Sequence, residues 1–174
     1  MEAGNIRLVA HAPEHLRALL MGPEAYELRF QIAVADGLRD FLTGPEVSEA
    51  FLARLRDAAS ADPWRDGFGL VLLAENRLIG LCSFNGPPDA EGAVEISYGI
   101  APGYAGRGYA TEAARFLVEH AFASGRVRLV RAHTLPAYNA STRVLQKCGF
   151  QNCGEVVDEV DGTIWRWEMR GLAG

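Results

Sequence analysis

Hydrophobic and polar positions along the chain repeat with two different periods, which predicts a protein that combines helices with strands. Apolar side chains recur at the three- and four-residue spacing of an amphipathic helix over residues 13–21, 47–59, 110–123 and 141–148. Alternating or short apolar runs typical of strands cover residues 6–11, 68–75, 78–84, 93–100, 129–135, 151–160 and 163–170. Residues 24–43 show neither period, and we expect them to be irregular or partly helical.

Turn residues indicate how these segments are connected. Asn76-Arg77 and Asp161-Gly162 each join two predicted strands by a short link, which is typical of β-hairpins. Between the hairpins, the strand over residues 93–100 leads through a glycine-rich turn into the helix over residues 110–123, and another strand follows. This order predicts a single mixed α/β domain over residues 1–174, with antiparallel hairpins on both sides of a strand–helix–strand unit.

Composition and charge narrow the class of protein. The 174 residues are 49% hydrophobic and 22% charged, which is the balance of a globular domain. The longest apolar runs, such as residues 70–74, are too short to cross a bilayer, and no signal-peptide core is present, so we expect a cytoplasmic protein without a membrane partner. A net charge of -5 without a basic stripe argues against a nucleic-acid partner. It is compatible with a cationic amine substrate.

The cysteines and histidines give no sign of a metal site. The three cysteines, Cys82, Cys148 and Cys153, are odd in number and match no zinc spacing, so we expect buried free thiols. The four histidines also lack the spacing of metal ligands, and no metal is predicted. Trp165 and Trp167 alternate on the last predicted strand and share one face, which favours packing in the core or in a homodimer interface.

Three glycines, Gly103, Gly106 and Gly108, lie in the turn between the strand and the helix. A helix start offers unpaired backbone N–H groups and the positive end of the helix dipole, and glycine lets the backbone approach an anion closely. Arg107 adds a cation at the same place, so the turn is a candidate pyrophosphate site. A plain tight turn is the alternative. The pattern is neither a Gly-Lys-Ser/Thr phosphate loop nor a dinucleotide fingerprint.

This turn resembles the acyl-coenzyme A motif of the GNAT N-acyltransferase superfamily. That motif is Arg or Gln, two residues, Gly, one residue, then Gly or Ala, and here it covers Ala105 to Ala110. A second motif of the superfamily follows at the expected distance over Asn139 to Phe150, and residues 163–170 resemble its last strand. The branch most similar to this chain contains the ribosomal-protein-alanine N-acetyltransferases. The resemblance is strong over residues 93–170 and weak over residues 1–66.

The resemblance implies a central mixed, mostly antiparallel sheet flanked by helices, with acetyl-coenzyme A as the cosubstrate. In related proteins the strand before the turn splays from its neighbour, and its free backbone groups hold the pantetheine arm and the acetyl carbonyl. The implied cofactor-binding residues are Gly106, Arg107, Gly108, Tyr109, Ala110 and Thr111 near the pyrophosphate, Tyr98, Gly99 and Ile100 on the strand, and Asn139 and Ser141 in the second motif.

Three positions depart from the family pattern. Ala105 stands where Arg or Gln is most usual. The Asn that precedes the Ser by three residues in the related branch would fall on Tyr138, so Asn139 is one position late. Many members carry a Tyr in the second helix that protonates the departing thiolate, and Leu145 occupies that place here. This acid is therefore absent.

The resemblance also implies that a neutral amine attacks the thioester directly, with much of the rate coming from holding the two reactants together. Alternation along residues 94–100 puts Glu95, Ser97 and Gly99 on one face, and Glu95 is the candidate general base. Ser141 is the candidate acid for the thiolate. The alternatives are a structural ion pair for Glu95 and a place in the first helical turn for Ser141.

These observations predict an N-acetyltransferase that acts on a primary amine, either a peptide N-terminal α-amine or a small molecule. Aromatic residues of the N-terminal half are candidates for the acceptor pocket, namely Phe30, Phe41, Phe51 and Trp64. Two other functions stay open. One is a non-catalytic acyl-coenzyme A sensor, and the other is an acyltransferase that uses a different donor such as succinyl-coenzyme A.

Overall fold

The computed structural model of the chain describes residues 2–3, 5–44 and 47–171, and the ends of the predicted domain at residues 1 and 172–174 lie outside this part. The strands are β1 (Glu2–Ala3), β2 (Ile6–Ala10), β3 (Ala33–Val34), β4 (Phe68–Leu72), β5 (Arg77–Phe84), β6 (Ala93–Ile100), β7 (Leu129–Thr134), β8 (Gln151–Asp158) and β9 (Gly162–Arg170). The helices are α1 (Pro13–Met21), α2 (Pro23–Phe30), α3 (Asp40–Thr43), α4 (Glu49–Asp57), α5 (Pro63–Asp66), α6 (Tyr109–Ala123) and α7 (Ala140–Cys148).

The strands form one mixed sheet in the order β1-β2-β4-β5-β6-β7-β9-β8, and β3 adds a short parallel pairing to β5. Neighbours along this order are antiparallel except for β6 and β7, which are parallel. The predicted hairpins are β4–β5 and β8–β9, and the predicted strand–helix–strand unit is β6–α6–β7. The expectation of a mostly antiparallel sheet flanked by helices is confirmed.

Helix α6 packs on the centre of the sheet through a face of apolar and mostly small side chains. Ala113, Ala114, Leu117 and Ala121 are fully buried, and the helix packs on β5 and β6. Three of these four side chains are methyl groups, which let the helix backbone approach the sheet closely. This packing fixes the start of α6 at Tyr109, directly after the glycine-rich turn.

Residues 24–43 contain more regular structure than expected. They include most of α2, the short strand β3 and the single-turn helix α3. Helix α2 starts with Pro23 in its first turn, which is a favourable place for proline, but Tyr26 is its only fully buried residue. One buried position in eight residues gives no hydrophobic period, so the pattern of the sequence could not reveal this helix.

The pairing between β6 and β7 stops after three residues. Ala93–Glu95 pair with Leu129–Arg131, whereas residues 96–100 pair only with β5 on their other side. The two parallel strands therefore separate beyond Glu95, and the backbone of residues 96–100 has a free edge toward β7. The resemblance to the superfamily implied such a splay, and the register shows where it begins.

The thiols and tryptophans divide between the core and the surface. Cys82 is buried and Cys148 is half-buried, but Cys153 is exposed, so the prediction of buried thiols was wrong at Cys153. This residue lies on β8, an edge strand whose residues are mostly exposed.

Trp165 and Trp167 share a face of β9, and their ring centroids are 6.5 Å apart. Trp167 is buried, and its Nε1 donates to Oγ1 of Thr134 at 3.0 Å.

Within residues 2–3, 5–44 and 47–171, the structure contains no helix that is both long enough and apolar enough to cross a membrane.

Candidate active site

A carboxylate and an imidazole meet at the point where β6 and β7 separate. Glu95 is the last residue of β6 that pairs with β7, and His133 follows the paired stretch of β7. Nδ1 of His133 lies 2.9 Å from Oε1 of Glu95, and both side chains are partly buried. A neutral His133 that donates from Nδ1 to the carboxylate keeps Nε2 free to accept a proton.

The register shows why Glu95 is not held by an arginine. Arg131 stands opposite Glu95 across the parallel pairing, but its Nε lies 3.2 Å from Oε1 of Glu168 on β9. The alternative for Glu95 was a structural pair with an arginine or a backbone group, and the structure contains no arginine partner for it among the described residues. Its carboxylate contacts the imidazole of His133 instead.

A cavity of about 930 Å³ opens on the side of the sheet to which Glu95 points. Glu95, Ser97 and Gly99 line it together, as the alternation of β6 predicted, and His133 lies beside them. Its volume is in the range of cavities that bind small organic ligands. The residues with the right chemistry are thus next to a space that can hold a substrate.

Aromatic side chains from the N-terminal half form part of the wall of the cavity. Phe41 of α3 and Phe51 of α4 line it, as expected for the acceptor pocket. Phe30 and Trp64 do not, and for these two residues the expectation was wrong. Phe30 stacks on His15 with ring centroids 4.0 Å apart, and Trp64 packs on Phe84 at 4.7 Å, so other aromatic groups hold both rings away from the cavity.

Charged groups line the cavity. Arg54 of α4 donates to Asp66 at 2.5 Å, and the carboxylate of Asp66 is fully buried. Asp161 from the β8–β9 turn lines the cavity as well. The turn also carries Asp158, whose pKa is lowered by hydrogen bonds from backbone N–H groups and by the nearby His133. The carboxylates of Glu95 and Asp161 favour a positively charged ligand.

The glycine-rich turn presents its backbone openly. Gly106 and Gly108 have φ of 75° and 89°, in the left-handed region, and a Cβ placed on either would meet no atom within 4 Å. Gly108 caps α6 without any side chain that bonds to the first N–H groups of the helix. These N–H groups and the dipole of a 15-residue helix are therefore available to an anion.

Arg107 is exposed in this turn, but its guanidinium is directed back at the turn itself. It donates to the carbonyl oxygen of Gly103 at 3.1 Å and lies 5.4 Å from the centre of the Tyr104 ring. A phosphate group bound to the turn would have to compete for these donors. The guanidinium of Arg107 has other N–H donors, and it lies close enough to the turn to contact such a phosphate.

Tyr98 and Ser141 come together across the gap beside β6. The Tyr98 hydroxyl donates to the carbonyl oxygen of Ser141 at 3.5 Å, and burial raises the pKa of this phenol. Ser141 lies in the first turn of α7, and its side chain is exposed. The Tyr98 ring thus spans from the free part of β6 to the start of the second-motif helix.

Asn139 is the N-cap of α7. Its Oδ1 accepts from the N–H of Thr142 at 3.1 Å, and Oγ1 of Thr142 completes a capping box with the N–H of Asn139. The cap occupies the oxygen of the side-chain amide, which leaves the NH₂ group for any ligand. Leu145, at the position of the family's tyrosine acid, is fully buried and contributes only to the core.

The sequence allows His133 to face the cleft but contains no signal that pairs it with Glu95. The four histidines had no motif spacing, and the distance along the chain between Glu95 and His133 is 38 residues. A parallel pair of strands joined by a helix can adopt several registers, so alternation alone did not place His133 beside Glu95. Among the described residues, no group of three or more His, Cys, Asp or Glu side chains is placed to hold a metal ion.

Comparison with known proteins agrees with this geometry. Residues 7–151 match the family model described as the acetyltransferase (GNAT) domain. A curated relative, an uncharacterized N-acetyltransferase p20 from Bacillus licheniformis, is 24% identical over 143 residues, which are 75% of this chain and 80% of the relative.

Two solved structures show the same fold across almost the whole chain. The ribosomal-protein-S5-alanine acetyltransferase from Vibrio fischeri has a TM-score of 0.68 at 18% identity, with 98% of this chain and 95% of that chain covered. A dodecameric spermidine N-acetyltransferase from Vibrio cholerae has a TM-score of 0.63 at 18% identity, with 97% and 95% covered. Because the family model matches residues 7–151, which are most of the chain, the chain belongs to the GNAT family of acetyltransferases.

Proposed function

We propose that this acetyltransferase moves the acetyl group of acetyl-coenzyme A directly onto a primary amine, either a peptide N-terminal α-amine or a small-molecule amine. The observation that carries the proposal is the Glu95–His133 pair, 2.9 Å apart, at the point where β6 and β7 separate and at the wall of a cavity of about 930 Å³. The pair can accept a proton where an amine in the cavity would meet an acyl group at the free edge of β6.

The cosubstrate is placed by two sets of backbone groups. Members of the family use acetyl-coenzyme A. Its diphosphate would lie on the amides of the turn and of the first turn of α6, over residues 106–111, where the φ angles of two glycines leave the backbone open. The acetyl carbonyl would accept from the backbone N–H of Tyr98 or Ile100, which face the free edge, whereas Gly99 faces β5 in the same register as Glu95 and Ala101.

The reaction forms one C–N bond and breaks one C–S bond. An α-amine with a pKa near 8 is neutral in about a tenth of molecules at pH 7, so a general base is needed less for this acceptor. A lysine amine with a pKa near 10.4 is neutral in only about one molecule in 2,500, so a lysine acceptor depends more on the base. Glu95 and His133 would take the proton from the attacking nitrogen, directly or through water. The sulfur leaves as a thiolate, and the hydroxyl of Ser141 is the candidate donor of its proton, with Asn139 beside it.

The two similar structures named above act on different amines according to their names, a ribosomal-protein alanine and spermidine. Both kinds of acceptor are cationic before they lose a proton, and the carboxylates of Glu95 and Asp161 in the lining of the cavity are compatible with either. The acceptor class therefore has to be measured.

The proposal is tested by mixing the protein with acetyl-coenzyme A and a panel of amines, and by measuring released thiol. The panel contains peptides with free N-termini, polyamines, aminoglycosides and amino acids. We expect saturable thiol release with at least one class. Tight binding of acetyl-coenzyme A without thiol release across the panel would support a non-catalytic sensor instead, and release only with succinyl-coenzyme A would change the donor.

The same assay tests the assigned base. Replacing Glu95 by Gln should lower kcat/KM about 100-fold, because the amide can neither accept the proton of the amine nor hold His133 Nδ1 through a carboxylate. The matched control is Ser97→Ala, two residues along the same face of β6, for which we expect a change of less than about 3-fold. A kcat/KM of Glu95→Gln within about 3-fold of the wild type would remove Glu95 from catalysis.

A further inference from the structure

The ring of Phe41 lies against the backbone of β6 at Gly99. A Cβ placed on Gly99 would come within 2.8 Å of Cε1 and Cζ of Phe41, a distance that real side chains do not show. Gly99 is therefore the residue that lets an aromatic ring from α3 sit directly on the strand. The contact joins two segments that are more than fifty residues apart in the sequence.

This contact lies at the junction between the cavity and the free edge of β6. Gly99 belongs to the stretch of β6 that is not paired with β7, and its Cα faces the cavity together with Glu95 and Ser97. If the acyl carbonyl binds to this edge, as the proposed function requires, the carbon chain of the acyl group extends from the edge toward the cavity. The ring of Phe41 stands beside Gly99 on that side.

Phe41 has no other evident role in holding the fold. Its side chain is 45% exposed, and it lies in a single-turn helix, Asp40–Thr43, that buries no residue fully. Phe51 lines the same cavity from α4, but the three atoms nearest to a Cβ on Gly99 all belong to the ring of Phe41. Phe41 is thus the phenylalanine that packs directly on β6.

We propose that Phe41 limits the length of the acyl group that the site accepts, so that acetyl-coenzyme A is preferred over donors with longer chains. The proposal rests on the proposed function for the position of the thioester. With the ring in place, a methyl group fits beside Gly99, and further carbons meet the ring. Removal of the ring leaves a space of about six carbon atoms, next to apolar surface, into which a longer chain can extend.

The test compares acetyl-, butyryl- and hexanoyl-coenzyme A in the wild type and in Phe41→Ala with one amine. A buried methylene contributes about 4-fold in binding, so the two extra methylenes of butyryl should raise the ratio of kcat/KM for butyryl over acetyl up to about 16-fold in the variant. Phe51→Ala is the matched control. It should change KM for the amine and leave the donor ratio within about 2-fold of the wild type.

A second readout separates this inference from the proposed function. Affinities of the three thioesters, measured by calorimetry without an amine, should show the same shift toward longer chains in Phe41→Ala even if no amine is turned over. An equal loss for all three donors, or an unchanged order of donors in both assays, would overturn the role of Phe41. A shifted order of affinities without turnover would instead retain Phe41 and reject the proposed reaction.

Discussion

His11 is held in its neutral form by the residues around it. Its ring is 2% exposed, Nε2 lies 3.1 Å from the hydroxyl of Tyr26, and His15 stacks on it with ring centroids 5.2 Å apart. Burial first, and then the charge of His15, lower the pKa of His11 to about 3. Nδ1 has no hydrogen-bond partner among the described residues, so a second N–H on the ring would be buried without an acceptor.

This environment predicts a loss of stability in acid. Between pH 6.5 and 3 the unfolded chain binds a proton at His11 that the folded chain does not, so the free energy of unfolding falls as the pH falls. The contribution approaches about 1.4 kcal/mol per pH unit below pH 6 and vanishes above the unfolded pKa.

The variant His11→Gln keeps a polar group near Tyr26 and cannot take up this proton. Urea unfolding at pH 7, 6, 5 and 4 should therefore show a weaker fall of the free energy of unfolding in the variant, by up to about 1.4 kcal/mol per pH unit. Parallel curves for the variant and the wild type would show that His11 is not the group responsible.

Single residues of the site could be predicted from the sequence when a local pattern carried them. Alternation in β6 placed Glu95, Ser97 and Gly99 on one face, and the structure confirms this. The contact of His133 with Glu95 and that of Phe41 with Gly99 could not be predicted in the same way, because these residues reach β6 from a parallel neighbour and from the segment 24–43, which has no period. Register and tertiary contacts, which the sequence does not display, decide such positions.

At the scale of elements, the segments with a sustained period were predicted well. No comparable pattern marks α2, β3 and α3, because these elements are short or bury few residues. The helix predicted over residues 47–59 is observed as α4, Glu49–Asp57, with Ser48 as its N-cap. Residues 63–66 form the separate helix α5, which Asp62 caps.

The turn before α6 is the element on which cofactor binding depends. Replacing Gly108 by Val puts a β-branched residue at a φ of 89° and a side chain over the open backbone. We expect the Kd for acetyl-coenzyme A, measured by calorimetry, to rise about 10-fold or more.

Gly103→Val is the matched control for this turn. Gly103 lies in the same turn with open space around it, but its φ is not in the left-handed region. We expect its Kd to stay within about 3-fold of the wild type, and both variants to melt within a few degrees of each other. Equal affinities for Gly108→Val and the wild type would contradict the assignment of this turn to the diphosphate.

At the scale of the whole molecule, the account depends on the opening of one sheet. The chain builds a nearly continuous antiparallel sheet, and its one parallel neighbouring pair along the strand order, β6–β7, stays together for three residues and then separates. The helix between these strands brings the glycine-rich turn to the end of β6, and the N-terminal half closes the other side with α3 and α4. The sequence predicted the hairpins and the longer helices, but it did not predict how many residues of β6 and β7 pair.

The central claim is that the acyl thioester lies along the free edge of β6 with its diphosphate on the turn before α6. A crystal structure of the protein with a non-reactive analogue of acetyl-coenzyme A tests it most directly. The account predicts diphosphate oxygens within hydrogen-bond distance of the backbone N–H groups of residues 106–111, and the acyl oxygen within the same distance of the backbone N–H of Tyr98 or Ile100. An analogue bound elsewhere, with the turn and the β6 edge empty, would contradict it.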